Sequence, residues 1–587
     1  MMTNQDSQPS LIELIRAEEF TENEFLQCFS ETPRERDIIE KLKGHGAHLL
    51  EGPRGVGKSS LMRKAEIELD EEFQKTRSIG VYVNFKASLR VQPNYPGLGF
   101  DPFLCWVAAK ILDALYKKCR QLGFIASNLI PEKYRRLLAV DQSWNPAHLE
   151  RTIQDLQSLA IASTDEAKHK IQERLLGAEI ERFSNVEAVA EFVSDIARET
   201  SLSRIIFLFD EAAHTFDEQQ QETFFGFFKL LHGGIISVKA ATYPGITSYG
   251  GNFEIGQDAI RLSISSIDEH LQSSRDELRE HFRQLLRKRA SNADFKRMTQ
   301  NGEALDLLIW LSHGNPRSFL QTVSKWLSTD RLSKQNALIS SNNYIANELT
   351  SYHLGLKQRL PRFSSHIDLG MTLIKAHLVP EIQRKNEGKG EDPKVQTVYF
   401  TVESLVPYKI QRAISLLEYS GFLSQKSVVK IWGRKQAPRY ALHLGVAASE
   451  KVFNSAFSAN PDEAIKRLNI TDYREFYASD SRFKLLIDNY QDLETCPNQH
   501  PRQVDGPFCP ICGARFEVDR VIEKLLEDPL DNLGVTPFLK RKLKDEFNAQ
   551  TIRDVLALTE TDLQQASRIG PKRSRMIVNA AEEYISG

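Results

Sequence analysis

The stretch Ala47-His-Leu-Leu-Glu-Gly52-Pro-Arg-Gly-Val-Gly-Lys58-Ser59-Ser60 decides the fold that this sequence predicts. A short apolar strand runs into a glycine-rich turn, and SLMRKAEIEL continues with helical periodicity. The turn has the spacing G-x-x-x-x-G-K-[ST] in the strand–turn–helix context that this motif requires. Glycines let successive backbone N–H groups surround phosphate oxygens, and the helix N-terminus adds its positive dipole end. The stretch therefore predicts a phosphate-binding loop.

The nucleotide expected on this loop is ATP with Mg²⁺. Lys58 would reach the terminal phosphates, and Ser59 would be a Mg²⁺ ligand. The expected nucleotide-binding residues of the loop are Gly52, Pro53, Arg54, Gly55, Val56, Gly57, Lys58, Ser59 and Ser60. The alternative is a chance glycine-rich turn, which the flanking strand and helix disfavour.

Two carboxylates end a second apolar run, Arg204-Ile-Ile-Phe-Leu-Phe-Asp210-Glu211. A continuous apolar run is typical of a strand buried on both faces of a parallel sheet. Nucleotide hydrolysis needs a carboxylate near Mg²⁺ and a group that orients the attacking water. We expect Asp210 to hold Mg²⁺ through water and Glu211 to polarise the nucleophilic water. A core strand capped by solvated acids is the structural alternative.

Further apolar runs at residues 81–85, 235–242 and 261–265 would complete a doubly wound parallel sheet, so the predicted fold class is α/β. More chain separates the second strand from the acidic strand than one crossover helix requires. Its pattern is mostly helical, which predicts a helical insertion at about residues 100–195.

Composition narrows the class of protein without naming a partner. The 587 residues are 41% hydrophobic and 26% charged, and 76 basic side chains nearly balance 78 acidic ones. Any nucleic-acid surface must therefore be local. The N-terminus lacks a signal pattern, and no apolar run is long enough for a membrane span, so we expect a cytoplasmic protein with no membrane partner.

Residues from about 30 to 450 resemble an AAA+ ATPase of the initiator-like branch, the group of origin-recognition/Cdc6 proteins and ExeA-type and transposition ATPases. The resemblance rests on the segment RERDIIEKL that begins at Arg34, on the loop at residues 52–59, and on the acidic pair at 210–211. Thr242 in KAATYPG and the segment Gly314-Asn-Pro-Arg317 complete it.

The resemblance implies a role for each of these residues. The segment at Arg34 would lie over the adenine, Thr242 would be the polar sensor 1 residue, and Arg317 in a helical lid would touch the γ-phosphate. A structural helix start at Asn-Pro is the alternative for Arg317. Sensor 1 is often Asn in the family, and the trans-acting arginine finger is not placed; Arg261 is the nearest candidate. A homo-oligomer therefore stays open.

A winged-helix pattern follows the predicted lid. Apolar residues recur at helical spacing from 410 to 417, and Gly421 ends that helix. The strands FLSQKSVVKIW and PRYALHL then flank a basic turn at Gly433-Arg434-Lys435. This shape suits duplex DNA, with the helix in a groove and the turn at phosphates, but winged helices also dock proteins. Both alternatives remain.

Four metal-ligating side chains lie in two short knuckles. They are Cys496 and His500 in CPNQH and, after eight intervening residues, Cys509 and Cys512 in CPICG. Two soft or borderline ligands on each of two tight turns can close a tetrahedron around Zn²⁺. The absence of an open position favours a structural site, similar to short zinc ribbons. Free thiols beside a surface histidine are the alternative.

The C-terminal residues have the pattern of two helix-hairpin-helix units. The predicted helices span residues 538–547, 551–558, 561–567 and 572–584, with the second hairpin turn at 568–571. Such turns offer backbone N–H groups to a phosphate, and Lys572, Arg573 and Arg575 follow directly. The tract resembles the C-terminal domain of the bacterial RNA polymerase α subunit, but Arg568 replaces the first glycine of the usual turn. Nucleic acid is favoured, and a protein partner is the alternative.

The expected architecture is an α/β P-loop sheet with a helical lid, followed by winged-helix, zinc-ribbon and all-α hairpin domains. The predicted boundaries are 1–30 for an N-terminal extension, 31–270 for the ATPase core, 271–355 for the lid, 356–450 for the winged helix, 451–490 for a helical linker, 491–520 for the ribbon and 530–587 for the hairpins. Two functions remain: an ATPase that engages nucleic acid, DNA above all, or a nucleotide switch that recruits a protein partner.

Overall fold

The computed structural model describes most of the chain. The described residues are 20–91, 95, 98–124, 147–162, 164–177, 183–212, 218–264, 268–360, 363–388, 395–403, 406–431, 435–477, 479–481, 486, 496–500, 508–514 and 525–586. Within these ranges no helix combines the length and the apolar character needed to span a bilayer.

A five-stranded parallel sheet forms the first half of the structure and confirms the α/β prediction. Its strands are β1 Ala47–Glu51, β2 Ser78–Asn84, β3 Arg204–Asp210, β4 Ile236–Thr242 and β5 Ile260–Ser263. The spatial order is β2-β3-β4-β1-β5, and every neighbouring pair is parallel. Because parallel strands end at the same edge, the loop after β1 and the acids at the end of β3 meet at one edge of the sheet, with β4 between them.

The central strands are buried on both faces, as their continuous apolar runs predict. All residues of β4 and all but the first of β3 are buried. Aromatic side chains of β3 stack along one face, where the rings of Phe207 and Phe209 lie 5.7 Å apart. The edge strand β5 is mostly exposed.

Helices precede the sheet and connect its strands. They are α1 Glu22–Cys28, α2 Pro33–Lys43, α3 Lys58–Glu71, α4 Phe73–Thr76, α5 Pro102–Gln121, α6 Ala147–Ile161, α7 Asp165–Gly177, α8 Val186–Glu199 and α9 Glu218–Leu231. The described residues of the predicted insertion at 100–195 include α5 to α8, whose apolar faces share one core with the sheet. Of the predicted N-terminal extension, residues 1–19 lie outside the described ranges, and α1 packs on α3 through Phe25 and Ile67.

A helical layer follows the sheet. Its helices are α10 Gln272–Arg289, α11 Asn292–Thr299, α12 Gly302–Leu311, α13 Pro316–Leu327, α14 Lys334–Tyr344, α15 Thr350–Arg359, α16 Ser364–Thr372 and α17 Val379–Glu387. Single π-helical stretches, Ile345–Leu349 and Leu373–Leu378, join α14 to α15 and α16 to α17, so each pair forms one continuous rod.

A second sheet contains the predicted winged-helix strands. Its strands are β6 Tyr399–Val402, β7 Leu423–Lys430, β8 Gln436–Leu442 and β9 Arg474–Phe476. The helices between them are α18 Tyr408–Ser420, α19 Leu444–Ser449 and α20 Pro461–Lys466. The strand order is β7-β8-β6-β9. The segment predicted as a helical linker at 451–490 differs from that prediction, because β9 pairs in parallel with β6 and completes this sheet.

The second sheet does not have a core of its own. One apolar cluster combines its residues with those of α10 to α14, and the buried Leu416 and Tyr419 of α18 belong to the core of the first sheet. The unit therefore packs against both the helical layer and the parallel sheet.

The C-terminal residues form a separate small helical core. Its helices are α21 Pro537–Phe547, α22 Ile552–Leu556, α23 Glu560–Leu563 and α24 Pro571–Ser586. Side chains such as Leu526, Leu543 and Ile577 are fully buried there. The third helix is shorter than the predicted 561–567, and the fourth begins one residue earlier, at a proline in the first helical position.

Candidate nucleotide site and metal centre

Two glycines give the loop after β1 left-handed backbone positions of the kind that anion-binding turns use. Gly55 and Gly57 have left-handed φ angles of +85° and +98°, and α3 begins at Lys58. A Cβ added at Gly57 would meet no atom within 4 Å, so the space above that backbone is open. Ser59 and Ser60 lie in the first turn of α3 and are half-buried. The predicted cradle is therefore not filled by side chains at Gly57.

Lys58 folds back onto its own loop. Its Nζ donates to the carbonyl oxygens of Gly52, at 2.7 Å, and Pro53, at 3.0 Å, and lies 3.7 Å from the centre of the Tyr243 ring. Burial lowers the pKa of Lys58 to about 7, although Glu211 and Asp210 act in the opposite direction. The two acids therefore interact electrostatically with the lysine.

The acidic pair lies at the end of β3, as predicted. Asp210 is buried, and the hydroxyl of Tyr82 on β2 donates to its Oδ2 at 2.5 Å. The backbone N–H of Glu211 donates to Asp210 Oδ1 at 3.0 Å, and Glu211 has a left-handed φ of +58°. A non-glycine residue in this region is strained, and such strain clusters at functional sites.

Thr242 ends β4 beside the beginning of the loop. It is fully buried and lies opposite Glu51 in the register of β1 and β4. Its carbonyl oxygen accepts from the N–H of Gly52 at 3.4 Å. The strand order thus places this predicted sensor between the phosphate loop and the acids.

The turn before α13 packs directly on the loop. Asn315 caps α13 by accepting from the N–H groups of Arg317 and Ser318, and its Nδ2 donates to the carbonyl oxygen of Arg54 at 2.8 Å. The Arg317 N–H also donates to the carbonyl oxygen of Gly55 at 3.4 Å. A Cβ at Gly55 would lie 2.8 Å from Asn315 Oδ1, so this close approach requires glycine.

A cavity of about 370 Å³ lies between the loop, the start of α2 and this turn. Its lining includes Arg34, Pro53, Val56, Asn315 and Arg317. Thr32 and Glu35 form a capping box that fixes the first turn of α2 at its rim. A cavity of this size accepts a drug-sized or nucleoside-sized ligand. Arg34 and Arg317, far apart in the sequence, therefore line one space beside the loop.

Two arginines have partners that the sequence did not indicate. Arg54 lies 4.8 Å from the centre of the Tyr352 ring. Arg261, the candidate arginine finger, is 3.4 Å from Glu51 of its own chain. The Arg261 side chain is 44% exposed on the edge strand, and its role as an arginine finger stays a prediction.

Sequence reasoning missed Tyr82, Tyr243 and Tyr419 at this site. Tyr82 lies two residues before the end of β2, and β2 was recognisable as a strand beside the acidic one. Tyr243 directly follows Thr242 and could have been found from that position. Tyr419, whose ring centre is 5.2 Å from that of Tyr243, comes from a helix assigned to another domain, and no sequence signal indicated it.

The four predicted metal ligands come together in space. The ligand atoms of Cys496, His500, Cys509 and Cys512 all lie within 4.8 Å of one another, and the Cys496 and Cys512 sulfurs are 3.5 Å apart. Sulfur–metal bonds of about 2.3 Å in a tetrahedron require separations of this size. In the part of the chain that the structure describes, no other group of three or more such side chains meets this criterion. The donor set therefore fits Zn²⁺.

Backbone turns hold these ligands. The Gly513 N–H donates to the Cys509 carbonyl oxygen at 2.8 Å, and Gly513 has a left-handed φ of +70°. Hydrogen bonds lower the pKa of Cys512 to about 6, and the largest contribution comes from the Ala514 backbone. A thiolate is the form that binds metal.

The helix expected to enter a DNA groove is largely buried. Nine residues of α18, among them Ile410, Ala413 and Leu417, are buried. In the basic turn, residues 432–434 lie outside the described ranges, so Arg434 is not placed. Lys435 Nζ is 2.5 Å from a carboxylate oxygen of the buried Glu403. Most of α18 is therefore covered by the rest of the protein.

The second C-terminal turn forms despite its departure from the glycine pattern. Arg568 has a left-handed φ of +68°, the conformation that glycine adopts most easily. Arg573 Nη1 donates to the Arg568 carbonyl oxygen at 2.8 Å. Arg573 and Arg575 are exposed near the start of α24. The turn thus leaves basic side chains beside a helix N-terminus.

No protein-family model matches this sequence, and neither does any curated protein. Among solved structures, the Aeropyrum pernix ORC2 protein in ADPNP–ADP complexes aligns with 12% identity over 76% of this chain and 98% of that chain, at a TM-score of 0.32. The Aeropyrum pernix ORC1 protein in complex with DNA aligns with 12% identity over 73% of this chain and 92% of that chain, at a TM-score of 0.30. Similarities this low carry no conclusion about this chain.

Proposed function

We propose that this protein is an ATP-binding and ATP-hydrolysing enzyme of the AAA+ type. One observation carries the proposal: the loop from Gly52 to Ser59 lies at the same sheet edge as Asp210 and Glu211. The open backbone at Gly57 and the adjoining cavity supply the space that a nucleotide needs.

Each side chain then has a defined task. Main-chain N–H groups of the loop bind phosphate oxygens, and Lys58 donates to the terminal phosphates. Mg²⁺, held by Ser59 and through water by Asp210, would neutralise phosphate charge. Glu211 polarises the attacking water, and Thr242 orients it. Arg317 approaches the γ-phosphate from the lid turn.

Two substitutions separate binding from turnover. Lys58→Ala should abolish nucleotide binding, whereas Glu211→Gln should retain binding and stop hydrolysis, because only the latter leaves the phosphate contacts intact. Equilibrium binding of a fluorescent ATP analogue and phosphate release measure the two steps. Lys75→Ala, an exposed lysine on α4, is the matched control. Normal hydrolysis by both variants would show that the site is misassigned.

We propose further that the C-terminal half engages nucleic acid, with DNA as the favoured ligand. The support is the left-handed turn at Arg568 with exposed Arg573 and Arg575 beside it, and the cluster of Cys496, His500, Cys509 and Cys512. Backbone-directed binding of this kind falls steeply with salt. Binding to duplex DNA, single-stranded DNA and RNA at several salt concentrations, with ATP turnover measured in parallel, tests it.

A second function remains supported by a specific observation. Nine of the thirteen residues of α18 are buried, so most of this helix is unavailable to a DNA groove, which favours a nucleotide switch that recruits a protein partner. That alternative predicts turnover indifferent to nucleic acid, together with oligomerisation or partner capture that depends on nucleotide.

A further inference from the structure

Helix α18 makes an unusually close contact with the loop that follows β4. Arg412 Nη1 donates to the Gly245 carbonyl oxygen at 3.1 Å. Gly245 has a left-handed φ of +71°, and a Cβ added there would lie 2.5 Å from the Ser415 Cβ. Real Cβ atoms do not approach this closely, so only glycine permits α18 to dock in this position.

Tyr243 lies between α18 and the phosphate lysine. One contact joins its ring to the Tyr419 ring, with centres 5.2 Å apart and planes at 74°. The other places its ring centre 3.7 Å from Lys58 Nζ. All three side chains are buried, so solvent screens neither contact. A continuous chain of contacts therefore runs from the second half of the protein to Lys58.

We propose that docked α18 restrains Lys58, through Tyr419 and Tyr243, on the carbonyl oxygens of its own loop and thereby lowers the affinity for nucleotide. This inference rests on the proposed function, in which Lys58 binds phosphate. Tyr243 and Tyr419 are positioning residues, because they act through the lysine. A ligand that draws α18 away from the loop promotes nucleotide binding.

Lys58 must exchange its partners within the protein for phosphate oxygens when nucleotide binds, and this exchange sets the expected change in nucleotide affinity. Phosphate binding requires Lys58 to leave the Gly52 and Pro53 carbonyl oxygens and the Tyr243 ring. A desolvated contact between a cation and an aromatic face corresponds to roughly a fivefold to thirtyfold change in an equilibrium constant. Loss of that contact should tighten nucleotide binding by about this factor.

The Gly245→Ala variant tests the restraint by displacing α18 from the loop. We expect its dissociation constant for a fluorescent ATP analogue to fall roughly fivefold to thirtyfold relative to the unmodified protein. Gly256→Ala is the matched control, because Gly256 also has a left-handed φ, +97°, but no atom within 4 Å of an added Cβ. Adding Ser415→Gly to Gly245→Ala removes the closest colliding atom and should restore part of the original affinity.

Tyr243→Leu provides an independent test if Gly245→Ala fails to fold. It removes the aromatic face above Lys58 without adding an atom that displaces α18. We expect the same fall in the dissociation constant for the ATP analogue. The inference is overturned if folded Gly245→Ala or Tyr243→Leu binds the analogue no more tightly than the unmodified protein while Lys58→Ala does not bind. If the unmodified protein does not bind the analogue, or Lys58→Ala binds it equally well, the proposed function itself fails.

Discussion

At the scale of single residues, the site consists of groups whose surroundings oppose their charged forms. Lys58 is buried on backbone carbonyl oxygens, and burial lowers its pKa. Glu51, directly before the loop, has a pKa raised by burial. Glu211 adopts a strained backbone conformation. A site prepared for a highly charged ligand is expected to store such unfavourable features, because the ligand relieves them.

Glu418 on α18 gives a prediction that depends on pH. Burial raises the pKa of this carboxyl group to about 8, and the negative charge of Glu51 acts in the same direction. The folded protein therefore keeps the proton over a range in which the unfolded chain, with a pKa near 4.5, has lost it. The contribution of Glu418 to the free energy of unfolding is fully present below about pH 4.5. It is lost as the pH rises through about 8, by up to a few kcal/mol.

Replacement of Glu418 by Gln should remove this decline. The side-chain oxygen of the substituted residue can still accept from the Gln425 N–H, which donates to Glu418 Oε1 at 3.0 Å in the unmodified protein. Urea unfolding at pH 6, 7 and 8.5 should show a growing advantage of Glu418→Gln over the unmodified protein. Glu71→Gln, at an exposed position, should track the unmodified protein. If the free energy of unfolding changes equally with pH in all three proteins, Glu418 is not protonated in the folded protein.

At the scale of elements, short turns hold the functional groups more than long helices do. The loop before α3, the Gly314–Arg317 turn and the two cysteine knuckles each depend on left-handed backbone positions. Gly55, Gly57, Gly314 and Gly513 supply most of them, and Gln499 supplies the one in the first knuckle. Their spacing is visible in the sequence because only certain residues adopt that conformation easily.

The knuckles give a prediction about metal content. We expect about one zinc per chain by elemental analysis of the purified protein, because three thiols and one imidazole complete a tetrahedral set. Cys509→Ser should lose the metal and render residues 496–514 sensitive to protease, since so small a unit has almost no apolar core. Cys28→Ser, far from the cluster, is the control. A metal-free native protein would refute the centre.

At the scale of the whole molecule, the C-terminal helices dock on the edge of the first sheet. Glu582 of α24 lies 3.8 Å from Arg90 and 4.0 Å from Lys86, and Lys86 Nζ also donates to the Asn579 carbonyl oxygen at 3.2 Å. The Arg90 side chain is only 9% exposed, so its charge depends on this partner.

Removal of the Glu582 charge should therefore loosen the C-terminal unit. Glu582→Gln leaves the buried Arg90 with a weaker partner, which we expect to cost about 1–3 kcal/mol of docking free energy. Limited proteolysis should release a fragment containing residues 525–586 several times faster than from the unmodified protein. Glu560→Gln, a half-exposed carboxylate in the same unit, should have no effect. Unchanged cleavage for Glu582→Gln would show that docking does not depend on this contact.

The sequence by itself determined the parallel sheet, the glycine-rich loop after β1, the acidic strand and the cysteine knuckles. Each is a local pattern whose residues are fixed by backbone conformation or by burial along a few consecutive positions. Only the tertiary structure decided that α18 is buried, that Arg261 pairs with Glu51, that β9 joins the second sheet, and that Tyr419 reaches toward Lys58 through Tyr243. Those contacts join residues more than a hundred positions apart or depend on how separate units pack, and no periodicity in the chain encodes such packing.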